Sequence, residues 1–383
     1  MAGFVQMIIL ILIILYIYIG YPIILFILSR FTKTGSSEFT SVQPSVTVII
    51  PARNEASVIK QKINNLRRCN YPPDKIEILV VSDESTDQTE AIVKSFMDSN
   101  IRLISLKTRH GKTAAQNIAV QEARGEIIVF SDANAIYHDD ALLYLCKHFQ
   151  DPKVGCVSGE LCYNNPEGSV VGEEENLYWR YEKWIKRLEN QVGTILGANG
   201  SIYAVRKMDY IPLGPDIISD FIEPLLIAGH GKKVIFESMA KSYENTCDEF
   251  HEEFQRKRRI VSRSLHGLIK HVWLFNPFQH FFLSFELFSH KLLRWLSPVF
   301  MILLFVSNCF LVRRSGFYLY FFVLQCVFYI ISVLGLILKG NARVSAVFFS
   351  PYYFCTINYA ALLGVIDYLT GRPAVFWEPI RKS

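Results

Sequence analysis

Between Ser45 and Ala133 the sequence alternates between short apolar runs and stretches with helical spacing. "SVTVIIP", "IEILVVSD", "IRLISLK" and "EIIVFSDA" read as strands. Between them, "ARNEASVIKQKINNLRRC" reads as loop and helix, "STDQTEAIVKSFMDS" as a helix opening at a polar cap, and "GKTAAQNIAVQEAR" as a helix with Gly125 as its C-cap. This order predicts βαβ units and an α/β fold with a mostly parallel sheet. The strand runs are apolar throughout, as strands are when helices cover both faces. Ligands meet such sheets at the carboxyl ends of the strands. The first strand ends in Pro51 to Glu55, the second in Ser82-Asp83, and the fourth in "FSDANA", with Asp132 and Asn134. A single acid at a strand end is ordinarily a helix N-cap. Three on one edge predict a common cleft. The glycine spacings of dinucleotide folds and P-loops do not occur, so neither is supported.

The ends of the chain differ from its middle. Of 383 residues, 51% are hydrophobic, which is high for a soluble enzyme and points to membrane segments. Met7 to Ser29 is an almost unbroken apolar run, long enough for a bilayer core that takes about 20 helical residues. Its rival, a cleaved signal peptide, calls for a basic start and a small-residue cleavage site, and neither is present. Arg30 and Lys33 follow the run, so the positive-inside rule puts the next segment in the cytosol. Leu296–Val312, Gly316–Leu338 and Ala346–Leu369 are further apolar runs, separated by Arg313-Arg314 and by Lys339–Arg343. Two to three crossings are expected there. The expected division is an anchor over 1–32, a catalytic domain over 45–250, a basic segment with amphipathic interface helices over 251–295, membrane helices over 296–369 and a tail over 370–383.

The formal net charge of +5 is concentrated in "FQRKRRIVSRS", Phe254 to Ser264. Such a run suits acidic headgroups or a diphosphate, and no nucleic-acid motif accompanies it. The eight cysteines are scattered without a C-x-x-C pair, so neither a zinc site nor a disulfide framework is expected. His271, His280 and His290 are not at metal-ligand spacing and read as interfacial residues. The aromatics of Tyr178–Glu189 read as packing residues.

Acids at strand ends, a basic helix and a membrane chain suit transfer from a nucleoside-diphosphate sugar. The leaving diphosphate needs cationic stabilisation. The attacking hydroxyl needs a carboxylate base. Oxygen ligands at strand ends suit Mg²⁺ or Mn²⁺. "VTVIIPARNE", "VVSDESTDQT", "RHGKTAAQNIA", "FSDANA", "GANGSIYAVRK", "ISDFIEPLLIAGHGKKVIFE" and "EFQRKRRIVSRSLHGL" occur in that order across residues 45–270. In this the chain resembles the family-2 membrane glycosyltransferases, relatives of cellulose, hyaluronan and poly-N-acetylglucosamine synthases.

The resemblance implies a GT-A fold with membrane and interface helices around it. Pro51 and Glu55 would shape the pocket for base and ribose, Asp83 would bind the nucleoside, and Lys112 would contact the nucleotide. Without the resemblance, Lys112 reads as a solvated helix start. Asp132 and Asn134 would hold the metal, Asn134 standing where the family has a second Asp. Asp220 would be the general base, with Ser219 in place of the family's Glu and Asp216 as runner-up, and "FIEPLLIAGHGKKVIFE" after it would be a helix. Gly197, Asn199 and Gly200 would line the donor and acceptor sugars. Gln255 and Arg258 match Gln-x-x-Arg-Trp, with Arg258 at the diphosphate, and Arg259 replaces the tryptophan at the acceptor. Asp139 and Asp140 read as residues opening a helix.

The function implied is inverting transfer from a UDP-sugar to a glycan or lipid-linked saccharide at the membrane. Uridine comes from the resemblance alone. Transfer to polyprenyl phosphate and a catalytically silent membrane subunit are the alternatives. A transporter has little support, because the apolar runs are few and lack buried charges.

Overall fold

The computed structural model describes residues 2–32, 43–164, 170–245, 250–338 and 346–371. Lys33, Cys247, the Lys339–Arg343 stretch and residues 372–383 lie outside them. The helices are α1 (Ala2–Leu15), α2 (Tyr21–Ser29), α3 (Ile59–Arg67), α4 (Thr89–Lys94), α5 (Lys112–Glu122), α6 (Ala141–Cys146), α7 (Val170–Val192), α8 (Ser219–Gly229), α9 (Phe250–Lys270), α10 (Phe281–Glu286), α11 (Leu293–Leu311), α12 (Gly316–Leu338) and α13 (Ala346–Leu369). The strands are β1 (Val46–Ala52), β2 (Ile76–Asp83), β3 (Ile101–Leu106), β4 (Ile127–Phe130), β5 (Ile136–Tyr137), β6 (Val154–Asn164), β7 (Tyr203–Arg206) and β8 (Lys233–Asn245).

The eight strands form one sheet in the order β3-β2-β1-β4-β7-β6-β8-β5. Strands β3, β2, β1 and β4 are mutually parallel, β7 is antiparallel to both neighbours, and β6 and β8 are parallel. The apolar runs of the first strands have a direct cause. Val46, Val48 and Ile50 of β1, with Ile78 and Val80 of β2, enter one core with α3 and α6. Ile49, Leu79 and Val81 enter the other with α5. Alternate residues serve opposite faces, and both faces are dry.

Three local expectations are corrected. Gly125 is not a left-handed C-cap. Ala123 closes α5 in an extended conformation, and a Cβ at 125 would run into the Thr47 backbone, so the glycine serves close approach to β1. The helix read over Ser85–Ser99 is only Thr89–Lys94. "FIEPLLIAGHGKKVIFE" is half helix: α8 stops at Gly229, the chain turns through Gly231 at φ +82°, and β8 begins at Lys233. Glycine fits that positive φ without steric cost.

Four helices are long and apolar enough to cross a membrane: Gly3–Ser29, Phe281–Leu311, Gly316–Leu338 and Val347–Leu369. The second is longer than the apolar run suggested. Helices α10 and α11 join through a π-helical turn at Leu287–Leu292, so much of the expected interface segment belongs to one continuous helix. A polar knot ties these helices to the sheet domain. Tyr21 and His290 both reach Glu189, at 2.7 and 2.6 Å, and Arg294 meets Glu182 at 2.5 Å. His290 is therefore buried and hydrogen-bonded to Glu189 rather than interfacial. Removing one partner from a buried pair of this kind typically costs about 3–5 kcal/mol. Of the α7 aromatics, Tyr181 donates to the Tyr18 carbonyl and Trp179 packs on Tyr163, while Trp184 is exposed.

Candidate active site

The sheet changes direction of growth between β1 and β4, the switch point where open α/β sheets bind ligands. Just beyond the ends of β1 and β2 stand non-glycine residues at positive φ, Asn54 at 54° and Glu84 at 58°. Such backbone concentrates at functional sites. The two loops are stitched together. Asn54 Oδ1 accepts the Thr86 amide at 2.8 Å, the Ala56 amide donates to Asp87 at 3.0 Å, and the Glu55 amide donates to Thr89 at 2.8 Å. Pro51 ends β1 opposite Val81, and Glu55 is buried beneath the turn into α3. Asp83 is buried too, and its two oxygens accept the amides of His110 at 2.7 Å and Gly111 at 2.8 Å. It therefore sets the loop that delivers α5, while keeping lone pairs for a ligand.

Lys112, the first residue of α5, projects into the cleft. Its Nζ lies 2.5 Å from Asp132 Oδ1. Burial works against the Lys112 charge, but Asp132, Asp220 and Glu244 outweigh it and hold its pKa above the ordinary lysine value. The solvated-helix-start reading is thus displaced. The loop carrying Asp132 and Asn134 is held from behind by Lys62, which is fully buried. Lys62 donates to the Ala135 carbonyl at 2.5 Å, and burial pulls its pKa down to about 7.

Asp220 sits in the first turn of α8, half-buried. Burial raises its pKa and the Asp132 charge adds to this, while Lys112 and Arg263 pull it down. The glycine loop clasps it. The Ala198 amide donates to the Asp220 carbonyl at 2.7 Å, Gly197 takes φ +91°, and a Cβ at Gly200 would collide with Asp220 Oδ2 and lie 3.3 Å from Lys112 Nζ. The Asn199 amide donates to Ser158 Oγ at 3.1 Å. Ser219, where the family has Glu, instead donates to Gln116 at 2.6 Å and fixes α8 on α5. Asp216, the alternative base, is spoken for. Burial disfavours its charge, but Lys270 at 2.6 Å and His266 at 2.5 Å outweigh that and hold its carboxyl at about 2. Asp140, at the start of α6, accepts from Asn70 at 2.8 Å and stays outside the cleft, as a helix-opening residue would.

The basic helix α9 departs from expectation. Arg258 does not reach the cleft: its guanidinium forks onto Asp367 of α13 at 2.5 and 2.7 Å. Gln255 is half-buried on the same helix and has no hydrogen bond among the described residues. Arg259, Arg256 and Arg263 form the other side. Burial lowers the pKa of Arg259, as do Arg263 and Arg256, while Asp220 raises it. Its side chain has no hydrogen-bond partner among the described residues. Arg263 is committed to the carbonyls of Pro215, Asp216 and Ile217 at 3.0 to 3.3 Å, the loop that leads into Asp220.

Sequence reading missed Glu244, at the end of β8. Burial and the Asp132 charge raise its pKa, against Arg256, Lys112 and a hydrogen bond from Asn134. Its Oε1 is buried with no partner among the described residues. It is another strand-end acid; the sequence reading carried a helix through Glu237, the first part of β8, and so placed no strand end at 244. Among the described residues no three His, Cys, Asp or Glu side chains form a metal cage. Mg²⁺ commonly takes one or two carboxylates and completes its shell with water and substrate phosphates.

Residues 47–211 match the model of glycosyl transferase family 2. The chain is 31% identical over 186 residues to the probable glycosyltransferase YdaM of Bacillus subtilis, covering 45% of this chain and 42% of that protein. It is 26% identical over 172 residues to the poly-beta-1,6-N-acetyl-D-glucosamine synthase of Staphylococcus aureus, covering 44% of this chain and 41% of that one. It thus spans less than half the length of these curated relatives. Among solved structures, the mannosyltransferase PcManGT of Pyrobaculum calidifontis, in complex with GDP-Man and Mn²⁺, superimposes with a TM-score of 0.71. The overlap covers 96% of this chain and 99% of that one at 20% identity, a likeness of fold. Residues 47–211 thus match glycosyl transferase family 2 over less than half of the chain, and the mixed sheet that carries them is a GT-A fold.

Proposed function

We propose that the chain is a membrane-integrated, inverting glycosyltransferase. It moves a sugar from a nucleoside-diphosphate sugar, a UDP-sugar in the first instance, to a glycan or lipid-linked acceptor at the membrane. The observation that carries this reading is the setting of Asp220: a half-buried carboxylate with a raised pKa, clasped by the glycine loop and adjoining Lys112, Asp132 and Arg259. A carboxylate of raised basicity is a more effective acceptor of the attacking hydroxyl's proton near neutral pH. With Asp220 as the base, the deprotonated hydroxyl attacks the anomeric carbon in line with the departing diphosphate, which inverts that carbon.

On the leaving side, Lys112 and Arg259 are the cations that meet the diphosphate. Arg259 takes the part that the resemblance implied for Arg258, which Asp367 holds elsewhere. Asp132 and Asn134 would hold a divalent cation, which neutralises charge developing on the diphosphate. Asp83, Pro51 and Glu55 frame the nucleoside end. Arg30, just after the first apolar helix, supports a cytosolic catalytic domain by the positive-inside rule.

The test is nucleotide release by the full chain in lipid over a panel of UDP-sugars. GDP-mannose belongs in the panel because the PcManGT complex holds that nucleotide sugar. The product is then sized by mass spectrometry. Release with one donor, lost in Asp220→Asn by about 10²–10⁴-fold, supports the reading. Normal turnover in Asp220→Asn refutes the base, and no release with any donor leaves the silent subunit. A ladder of products would mean a synthase, and one sugar on a lipid phosphate would mean the phosphate acceptor.

A further inference from the structure

We propose that Glu244 supplies the second carboxylate of the cation site, in place of the one that Asn134 lacks; this rests on the glycosyltransferase reading above. The sheet makes the placement. Strand β5 follows Asn134 directly and pairs antiparallel with β8, Ile136 opposite Tyr243 and Tyr137 opposite Ser242. Continued one step, the register sets Glu244 beside Ala135, at the loop that carries Asp132 and Asn134. On its other side Glu244 pairs with Tyr163 of β6, which fixes it in the sheet rather than on a mobile loop.

The side chains agree with the backbone. Asn134 hydrogen-bonds the Glu244 carboxylate, so the amide nitrogen is the donor and the amide oxygen stays available as a ligand. Glu244 Oε1 is buried and has no donor among the described residues. A buried carboxylate oxygen left without a partner is unfavourable, and a hard dication relieves it. The groups facing Glu244 are Asp132, Lys112, Arg256 and Asn134. Two of these cations are already engaged. Arg256 binds Glu253 and donates to Tyr163 at 2.9 Å, and Lys112 sits on Asp132. An aspartate at 134 would oppose its charge to Glu244, whereas an asparagine donates to it. Asn134 and Glu244 thus read as one exchange, with the second charge moved from the loop to the adjoining strand.

The experiment titrates Mn²⁺ into the full-length protein in lipid nanodiscs with UDP or GDP present, reading free Mn²⁺ by electron paramagnetic resonance. Nucleotide binding is measured separately in chelator. Glu244→Gln is expected to weaken Mn²⁺ binding about tenfold or more and to leave nucleotide binding in chelator unchanged. Asn134→Asp in the Glu244→Gln background is expected to restore it. Glu244→Asp, one methylene shorter, serves where the glutamine variant does not fold, and an intermediate Mn²⁺ affinity is expected of it. Unchanged Mn²⁺ affinity in the Glu244 variants overturns the proposal, as does failure of the double variant to regain it. Wild type that binds nucleotide but no Mn²⁺ overturns this inference alone. Wild type that binds no nucleotide overturns the reading beneath it.

Discussion

Gly200→Ala separates the chemistry of this protein from its folding. Gly200 is not among the positive-φ residues, so alanine fits its backbone. The added methyl would collide with Oδ2 of Asp220, and Lys112 Nζ lies 3.3 Å from its position. Both are ends of flexible side chains, so the fold can absorb the methyl by moving them. What moves is the base. A carboxylate displaced by about 1 Å loses on the order of 10²-fold in rate, near 2.7 kcal/mol of barrier. The expected outcome is turnover down about 10²-fold with an unfolding midpoint close to wild type. Gly125→Ala is the control: its methyl would meet the Thr47 backbone, which cannot rotate away, so it should lower the unfolding midpoint. Steady-state nucleotide release and thermal unfolding in detergent read the two effects. Turnover of Gly200→Ala within about threefold of wild type would refute the placement of Asp220 as base, because the misplacement argument leaves no room for it.

Lys112→Met removes the cation that draws the Asp220 pKa down, so the acid limb of the pH–rate profile should move to higher pH, while Asp132→Asn should move it lower; a limb that stays put in both variants refutes the coupling. Arg258→Ala and Asp367→Ala should each lower stability by about 1 kcal/mol, the double variant no further than either single, with nucleotide affinity unchanged; Arg259→Ala should weaken nucleotide binding, and the reverse pattern would return Arg258 to the cleft. Glu77 is buried, and although burial disfavours its charge, Thr47 at 2.6 Å, the Arg124 amide at 2.9 Å and Arg102 at 2.7 Å hold its pKa below the ordinary value. A depressed folded pKa gives stability that is present above the unfolded pKa and lost as pH falls through the folded one. Wild type should therefore lose its advantage over Glu77→Gln on acidification, as urea unfolding at neutral and acidic pH will show.

The inner strands of the parallel half, β1, β2 and β4, were legible because each is buried on both faces and says so in an apolar run, whereas the edge strand β3 is only partly buried. Val46–Ala52 and Ile76–Asp83 fall within a residue of where the sequence puts them. The last two membrane helices match for the same reason: lipid, like a core, demands apolar residues at every turn. Strand β8 was not legible. It follows α8 after a short turn, and "KKVIFESMAKSYEN" interleaves charges with apolar residues, so helical periodicity absorbed its first half. With β8 went Glu244. Position in the sequence also could not say which arginine of α9 faces the cleft. That depends on what lies against the other side of the helix.

That other side is membrane helix α13. Phe254, Arg258, Val261 and Leu265 line one face of α9, meeting Tyr359, Asp367 and Ala361. Gly364 allows the approach, since a Cβ there would lie 2.7 Å from the Arg258 carbonyl. Successive helical residues are about 100° apart, so fixing Arg258 on α13 leaves Arg256, Arg259 and Arg263 on the faces turned toward the sheet. Arg263 then holds the loop entering Asp220, and Arg259 stands over the carboxylate's field. The packing of α9 on α13, through Phe254, Val261 and Leu265 with the Asp367–Arg258 fork at its edge, thereby sets the rotation of the helix that brings cationic charge to the cleft. The candidate span α13 and the proposed base Asp220, far apart in sequence, share one rigid element, which gives a physical reason for the proposed diphosphate arginine to lie one residue beyond Arg258.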